Sequence, residues 1–319
     1  MIPMEPKTQV PPVREQQHPS SRELQKKGLE MARYFKDFCE AHDLLFYFCG
    51  GCCIGAIRHK GFIPWDDDVD FFMPREDYEK LKVLWPQEAD TQRYTLVTQT
   101  ETLVDHNLFI TIRDNNTTAV KPYQKGIDMC HGLAMDILPL DGCPDSSWQR
   151  KKQLFWALLY SLFCAQLVPE NHGKKVALLG KIALGLVPSR KLRYRIWKLA
   201  EKHMTRYPIS QCSAVTELCS GPKYMRNRYP KEWFASSVYR EFEGEEFPLP
   251  MGYDGYLRMV FGDYMQLPPE EQRQPSHDLL FCDLERGYQA YQGQWDCTAD
   301  ASQKKQNRTF IAMVFYKNQ

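Results

Sequence analysis

The sequence predicts an α+β fold, with a small mixed sheet, helices packed on it and a helical region towards the C-terminus. Short apolar runs typical of strands alternate with amphipathic helical segments as far as about residue 140. From 148 to 207 helical spacing dominates instead. Hydrophobic residues make up 43% of the 319 residues and aromatic residues 13%, which is enough to bury a sizeable core.

Local signals place each element in turn. Ser20 or Ser21 suits a helix N-cap before an amphipathic pattern that ends near His42. The run 44–49 is short, apolar and aromatic, which is typical of a buried strand that ends at Gly50. Pro74 begins a helix, because a proline in the first turn removes no hydrogen bond. The other predicted strands are 69–73, 94–99, 107–113, 133–138 and 309–316, and the other helices are 52–59, 148–168, 174–187, 189–207 and 253–261.

Composition divides the chain into four predicted parts. Residues 1–19 are rich in Pro, Gln and charge and are expected to form a flexible tail. Residues 20–145 hold the mixed sheet, and 146–297 add helices and short strands to the same domain. Residues 298–319 are polar and are expected to be loose.

Charge and cysteine usage exclude several classes of protein. Lys and Arg number 41 against 40 Asp and Glu, so the net charge of +1 predicts no nucleic-acid partner. The N-terminus lacks the apolar core of a secretory signal, and the longest apolar run, 154–168, is too short to span a bilayer. The eleven cysteines are an odd number and are expected to be reduced thiols. The predicted location is therefore cytoplasmic.

The most informative segment, 50–70, reads GGCCIGAIRHKGFIPWDDDVD. Asp66, Asp68 and Asp70 would share one face of a regular strand, because strand side chains alternate. Acids on one face repel each other unless a cation compensates, and Mg²⁺ takes oxygen ligands together with substrate phosphates. The pattern predicts a magnesium-bound nucleotide and a phosphoryl-group transferase; a solvated acidic loop is the alternative.

Glycines and bases around the acids fit the same interpretation. Gly50-Gly51 lets the backbone approach a ligand, and the following helix N-terminus favours phosphate. The bases at 58–60 are expected to neutralise a diphosphate, or else to complement the helix dipole. These candidate substrate-binding residues are Gly50, Gly51, Arg58, His59, Lys60, Trp65 and Asp66.

Several separated blocks continue the pattern. They read REDYEKL at 75–81, HGLAMDILPLD at 131–141, FEGEEFPLP at 242–250 and FGDYMQLPP at 261–269. Together with the Gly-Gly, Arg-His and PWDDDVD motifs, these blocks resemble the LicD family. They occur in the same order as in that family and cover about residues 30–275. The chain departs from it at Cys52 and Cys53, where many members carry a small hydroxyl residue and a leucine. It also lacks the zinc module of the fukutin-related protein.

The resemblance implies a nucleotidyltransferase-like fold in which 20–145 is the catalytic core and 146–297 completes the domain. It implies transfer of a phospho-alcohol, phosphorylcholine first, from a CDP donor to a hydroxyl of a cell-surface or lipid-linked glycan, with release of CMP. Teichoic acid, lipopolysaccharide and capsule are the acceptors considered. It also implies Mg²⁺, or Mn²⁺ in its place, with Asp68 and Asp70 as the main ligands, Asp66 as a third member and Asp136 as the acid from the partner strand. Asp68, Asp70 and Asp136 are then the catalytic residues.

Three alternatives stay open at this point. The enzyme could instead transfer CMP itself with release of pyrophosphate. Cys49 and Cys52 follow a strand and begin a helix, as a thiol redox pair does, or they are buried packing residues. The apolar helices at 148–187, with Trp148, Trp156 and Phe163, could seat against the inner face of the cell membrane or form a buried helical core.

Overall fold

The computed structural model describes residues 19–167, 174–274, 279–291 and 293. Within these residues the helices are α1 (Ser21–Ala41), α2 (Gly50–Arg58), α3 (Arg75–Glu88), α4 (Ser147–Ala165), α5 (Lys174–Leu186), α6 (Arg190–Met204) and α7 (Tyr253–Phe261). The strands are β1 (Tyr47–Phe48), β2 (Asp70–Pro74), β3 (Tyr94–Val97), β4 (Ile110–Asp114), β5 (Thr118–Val120), β6 (Leu133–Cys143), β7 (Ala214–Thr216), β8 (Tyr229–Pro230), β9 (Ser237–Phe242), β10 (Glu245–Pro250) and β11 (Phe281–Asp283). The predicted α+β class is confirmed. The predicted strand at 309–316 and most of the predicted tail lie outside the described residues.

The central sheet is mixed, as predicted. Five strands follow the order β1-β2-β6-β4-β3, and β7 and β8 extend it from the end of β6. β2 and β6 run parallel, and the other pairs in this sheet are antiparallel. Their register sets Asp70 beside Asp136. Parallel neighbours therefore hold one acid each at the same level of the sheet.

β6 is longer than predicted and continues through Pro139. The Asp136 N–H donates to the Val69 carbonyl on the β2 side, so the Pro139 nitrogen faces the opposite side. On that side the first residue of β4 pairs with Ile137 and the last residue of β7 pairs with Asp141, so neither strand pairs with Pro139. Pro139 therefore lies where a missing N–H removes no ladder bond, which explains why a strand can pass through it.

Helix α1 begins where the N-cap signal places it. Ser20 and Glu23 form a capping box, in which each side chain bonds to the other residue's backbone N–H. The buried face of α1 then packs on the sheet, with Met31 and Phe35 almost fully buried. α1 also lies close against the segment that precedes β2. A Cβ added to Gly28 would be only 2.9 Å from the Val69 side chain.

The main hydrophobic core joins the two ends of the described chain. It contains residues from α1, β1 and β2, and also residues from the β9–β10 hairpin and α7. Phe48 stacks on Phe247 at 4.7 Å and lies 4.8 Å from Phe242, ring centre to ring centre. The hairpin thereby covers the strand that leads into α2.

A second core lies between α4 and α6. Its buried members include Ala157, Tyr160, Phe163, Trp197 and Met204. Part of the 148–187 region is therefore a helical core, as one interpretation of the sequence predicted. No described helix combines the length and the apolar character that crossing a membrane requires.

Candidate active site

Four acids gather at the start of β2 and the adjoining part of β6. Burial raises the pKa of Asp70 well above its usual range, and the negative charges of Asp68, Asp136 and Asp66 raise it further. Asp70 and Asp136 are register partners on parallel strands. The structure thus brings together the acids that the sequence singled out.

Their arrangement is not that of one regular strand. β2 begins only at Asp70, and Asp66 and Asp68 lie in an irregular segment before it. The buried Gln25 of α1 holds this segment by donating from Nε2 to the Asp66 carbonyl at 2.7 Å and to the Ile63 carbonyl at 3.2 Å. The Cys52 thiol donates to the Asp68 carbonyl at 3.6 Å. Gln25 is thus a positioning residue that sequence reasoning missed.

A small cleft opens beside the acids. Its volume is about 40 Å³. The residues that line it are Leu24, Asp67, Asp68, Arg113, Ala119, Lys121, Gly132, Leu133, Ala134, Asp136 and Leu279. Carboxylates and bases therefore line the same cleft, contributed by the segment before β2, by β4, β6 and the residue after β5.

Lys121 is the main counter-charge of this cluster. Burial lowers the pKa of Lys121, but the carboxylates of Asp136 and Asp68 outweigh that effect and raise it overall. Lys121 also lowers the pKa of Asp70. The sequence contained no motif around Lys121, so only the pairing of distant strands reveals it.

Arg113 is a second base that sequence reasoning missed. Its side chain is fully buried and donates to the Thr111 hydroxyl, the Gly132 carbonyl and the Gln124 side-chain oxygen, at 3.1–3.3 Å. These partners are neutral, so they fix the guanidinium without cancelling its charge. Arg113 therefore supplies a fixed positive charge at the cleft.

Gly50 and Gly51 form the first turn of α2, which begins two residues before the predicted start at Cys52. Gly50 has φ +49°, and its N–H donates to the Tyr256 hydroxyl of α7 at 3.1 Å. A Cβ on Gly51 would overlap the Asp66 carboxylate, so this carboxylate lies against the N-terminal turn of α2. The positive end of the helix dipole stabilises a negative group placed there. In the structure that group is Asp66.

The predicted bases at 58–60 lie at the other end of α2. Arg58 donates to the Tyr264 carbonyl at 2.7 Å and to the His59 ring at 2.9 Å. Lys60 is exposed and forms an ion pair with Glu241 of the hairpin, at 3.0 Å. The structure therefore sets Lys60 against the hairpin and does not show it among the residues that line the acidic cleft.

Arg273 extends this basic end. Burial lowers the pKa of Arg58, and the nearby charge of Arg273 lowers it further. The Arg273 guanidinium also lies over the ring of Trp65, 5.8 Å from its centre. Trp65 directly precedes the acidic segment, so it connects the two groups of charges along the chain.

The acid cluster offers only oxygen ligands, which is the kind that Mg²⁺ takes. In the described part of the chain, no three His, Cys, Asp or Glu side chains are already arranged as a complete metal site. Mg²⁺ does not require one, because it is commonly held by one or two carboxylates, with phosphates and waters as its other ligands. Asp70 and Asp136 on adjacent strands, with Asp68 nearby, provide that oxygen-only set.

The thiols beside the glycine turn are packing residues. Cys49 and Cys52 are buried and are not joined in a disulfide. Burial raises the pKa of both thiols well above the usual range, and the charge of Asp66 or Asp70 raises it further. A redox thiol needs accessible thiolate, and these two have neither access nor charge. The redox alternative is therefore not supported.

Comparison with known proteins places this site in a family. The family model described as LicD/FKTN/FKRP, nucleotidyltransferase domain, matches residues 44–130. Lipopolysaccharide cholinephosphotransferase LicD of Haemophilus influenzae is 32% identical over 263 residues, which is 80% of this chain and 95% of that protein. The chain belongs to the LicD family. Ribitol 5-phosphate transferase FKRP of Homo sapiens matches a shorter stretch, 40% identical over 60 residues, which is 19% of this chain and 12% of that protein.

The LicD family match covers part of the site directly. Residues 44–130 include the glycine pair, the acids at 66–70 and Lys121, and end before Asp136. The family resemblance seen in the sequence is thus confirmed. The structure adds how Asp136 reaches the same place, through the parallel pairing of β2 and β6.

Proposed function

We propose that this chain is a LicD-type phosphotransferase that moves a phospho-alcohol from a CDP-activated donor to a hydroxyl of a cell-surface glycan and releases CMP. Phosphorylcholine is the first candidate, because the relative aligned over 80% of this chain is a cholinephosphotransferase. The observation that carries the proposal is the pairing of Asp70 with Asp136, with Asp68 and Lys121 nearby. Acids that can hold a metal ion, with bases beside them that can contact phosphate, are suited to a metal-bound diphosphate.

Asp68 and Asp70 would hold Mg²⁺, with Asp66 at the edge of the site. When bound, the ion offsets the negative charge that builds up on the leaving CMP. The acceptor hydroxyl attacks the distal phosphorus, the bond from that phosphorus to the CMP oxygen breaks, and the hydroxyl proton passes to a carboxylate of the cluster. Asp136, which lies beside Asp70 on the partner strand, would either complete the metal site or take that proton.

Lys121 and Arg113 would contact the phosphate oxygens from within the same cleft. The cleft, at about 40 Å³, is too small to enclose a whole nucleotide, so the cytidine and the alcohol would extend beyond it. Arg58, Arg273 and Trp65 form the neighbouring basic and aromatic surface. They are the residues available to contact the nucleotide there.

The proposal is tested by CMP release from purified protein with Mg²⁺, supplied in turn with CDP-choline, CDP-ribitol and CDP-glycerol and with a cell-envelope glycan fraction. We expect one donor to give CMP, and Asp68→Asn to lower the rate at least about 100-fold, since a carboxylate that positions the reacting groups is lost. The matched control is Asp37→Asn, an exposed acid of α1 that should leave the rate unchanged.

Two outcomes would contradict the proposal. Pyrophosphate release from CTP and a phospho-alcohol, with no CMP from any CDP donor, would identify transfer of CMP itself. An Asp68→Asn variant with full activity would show that the acid cluster is not the catalytic site.

Removal of divalent ions with EDTA should abolish activity, and Mg²⁺ or Mn²⁺ should restore it.

A further inference from the structure

Helices α4, α5 and α6 leave many large apolar side chains exposed on their outer surface. These residues are Trp148, Phe155, Leu158, Leu178, Leu179, Ile182, Leu186, Leu192 and Leu199. We call this surface the α4–α6 face. Single exposed apolar residues are ordinary, but nine on three consecutive helices are a feature that needs an explanation.

Helix α5 shows the face most clearly. Leu178, Ile182 and Leu186 are spaced four residues apart, so they lie on one side of the helix. Their exposed fractions are 58%, 49% and 78%, and that of Leu179 is 66%. Among the residues of α5 whose burial is described, only Gly180 and Leu184 are buried. The helix thus turns most of its large apolar residues outward.

The same segment carries a large positive charge. Residues 147–204 contain twelve Lys and Arg but only two acidic residues, Glu170 and Glu201. The whole chain has a net charge of only +1, so the remainder of the protein is distinctly acidic. The exposed bases include Lys151 and Lys152 on α4, Lys181 on α5 and Lys191 on α6. Apolar and basic side chains are therefore interspersed on this face.

We propose that the α4–α6 face binds the surface of a bilayer that contains anionic lipids. Leucines enter the boundary between head groups and acyl chains, while Lys and Arg reach the phosphate head groups. A second copy of the chain fits less well, because two such basic faces would repel each other. Helix α5 has 13 residues and a length of about 20 Å, shorter than the ~30 Å hydrocarbon core, so it lies along the interface.

Of the three aromatic residues that the sequence suggested for a membrane contact, the structure supports one directly. Trp148 is exposed, with Lys152 over its ring at 4.9 Å. Phe163 is buried in the core between α4 and α6, and Trp156 stacks on His203 at 4.4 Å. Each helix therefore has an inner face that packs and an outer face that remains available for lipid.

The test is flotation of the full chain with two kinds of vesicle, phosphatidylcholine alone and phosphatidylcholine with phosphatidylglycerol. We expect the protein to float with the anionic vesicles and to be released as salt increases, because screening weakens the attraction. The neutral vesicles should bind at least about tenfold less, since each base near an anionic surface contributes to the affinity.

Two pairs of double variants separate the apolar and charged contributions. Leu179→Asn with Leu186→Asn should weaken binding about tenfold or more, while Val83→Asn with Met251→Asn, at exposed apolar positions elsewhere, should not. Lys181→Glu with Lys191→Glu should also weaken it about tenfold or more. Lys26→Glu with Arg226→Glu changes the net charge equally at exposed sites elsewhere and should have a smaller effect.

Several results would overturn the proposal. These are no flotation with anionic vesicles, equal flotation with both kinds of vesicle, and equal losses in the matched pairs. Self-association that Leu179→Asn with Leu186→Asn abolishes, without vesicle binding, would assign the face to a second copy. The readout does not need catalysis: Asp68→Asn should float like the unaltered protein, so this inference and the proposed function can fail separately.

Discussion

Two adjacent glycines begin α2, and they are required for different reasons. Gly50 has a positive φ and open space around its Cβ position, so its backbone conformation demands glycine. Gly51 has ordinary backbone angles but lies against the Asp66 carboxylate. The second glycine therefore determines how closely an acid of the site can approach the helix N-terminus.

Replacing Gly51 with alanine tests that close approach. The new methyl group would displace the Asp66 carboxylate and disturb the segment before β2. We expect Gly51→Ala to lower CMP release at least about tenfold and to cost about 1–3 kcal/mol of stability, as overpacking does. The measurements are CMP release and urea unfolding.

The control for this substitution is Gly185→Ala on α5. A Cβ there meets nothing within 4 Å and the residue is helical, so activity should be unchanged and stability equal or slightly higher. If Gly51→Ala behaved like this control, the close contact with Asp66 would matter neither for activity nor for stability.

At the scale of elements, one buried ion pair joins α3 to β6. Arg75 donates from Nε and Nη2 to the two oxygens of Asp141, both at 2.8 Å. Burial raises the pKa of Asp141, and the Arg75 guanidinium opposes that rise. The pair anchors the start of α3 to the part of β6 that extends beyond its pairing with β4.

Removal of Arg75 should leave a buried charge without its partner. We expect Arg75→Met to lower the free energy of unfolding by about 3–5 kcal/mol at neutral pH, and Arg75→Met with Asp141→Leu to recover most of it. Urea unfolding measures both variants. A double variant no more stable than the single one would show that packing, and not the unpaired carboxylate, causes the loss.

The loss in Arg75→Met should depend on pH in a definite direction. Without Arg75 the folded-state pKa of Asp141 rises further above that of the unfolded chain. The folded state then binds the proton more tightly, so acid stabilises it relative to the unfolded state. The deficit is therefore largest at neutral pH and shrinks as the pH falls towards about 4, the ordinary aspartate pKa.

At the scale of the whole molecule, the mixed sheet depends on residues far along the chain. The hairpin β9–β10 covers Phe48 with Phe242 and Phe247, and Tyr256 of α7 bonds to Gly50. β7 pairs with the end of β6. The predicted boundary near residue 145 therefore runs through a shared core.

A fragment that ends at residue 145 tests this dependence. We expect 19–145 to be largely unfolded or aggregated, because its core aromatic residues lose the hairpin and α7 that bury them. Circular dichroism and urea unfolding, compared with those of the intact chain, measure the difference. A cooperative transition for the fragment would show that 20–145 is an independent domain.

Much of this fold follows from local sequence signals. The capping pair Ser20 and Glu23 and the glycine pair act within a few residues, so the sequence alone indicates where α1 begins and places the start of α2 within two residues. Helix α7 is predicted with the bounds that the structure has. The strand at 44–49 is reduced to Tyr47–Phe48, because pairing with β2, a long-range contact, determines how much of the run becomes strand.

The sequence by itself was enough to identify the acids at 66–70, the glycine pair and the family, because each is recognised from short contiguous motifs. Only the tertiary structure shows that Lys121, Arg113 and Gln25 lie beside the same acids, since they come from separate elements that meet by strand pairing and helix packing. It also decided which sides of α4, α5 and α6 are buried. Helical spacing shows that residues share a face, but whether that face meets a core or remains exposed depends on the elements packed around it.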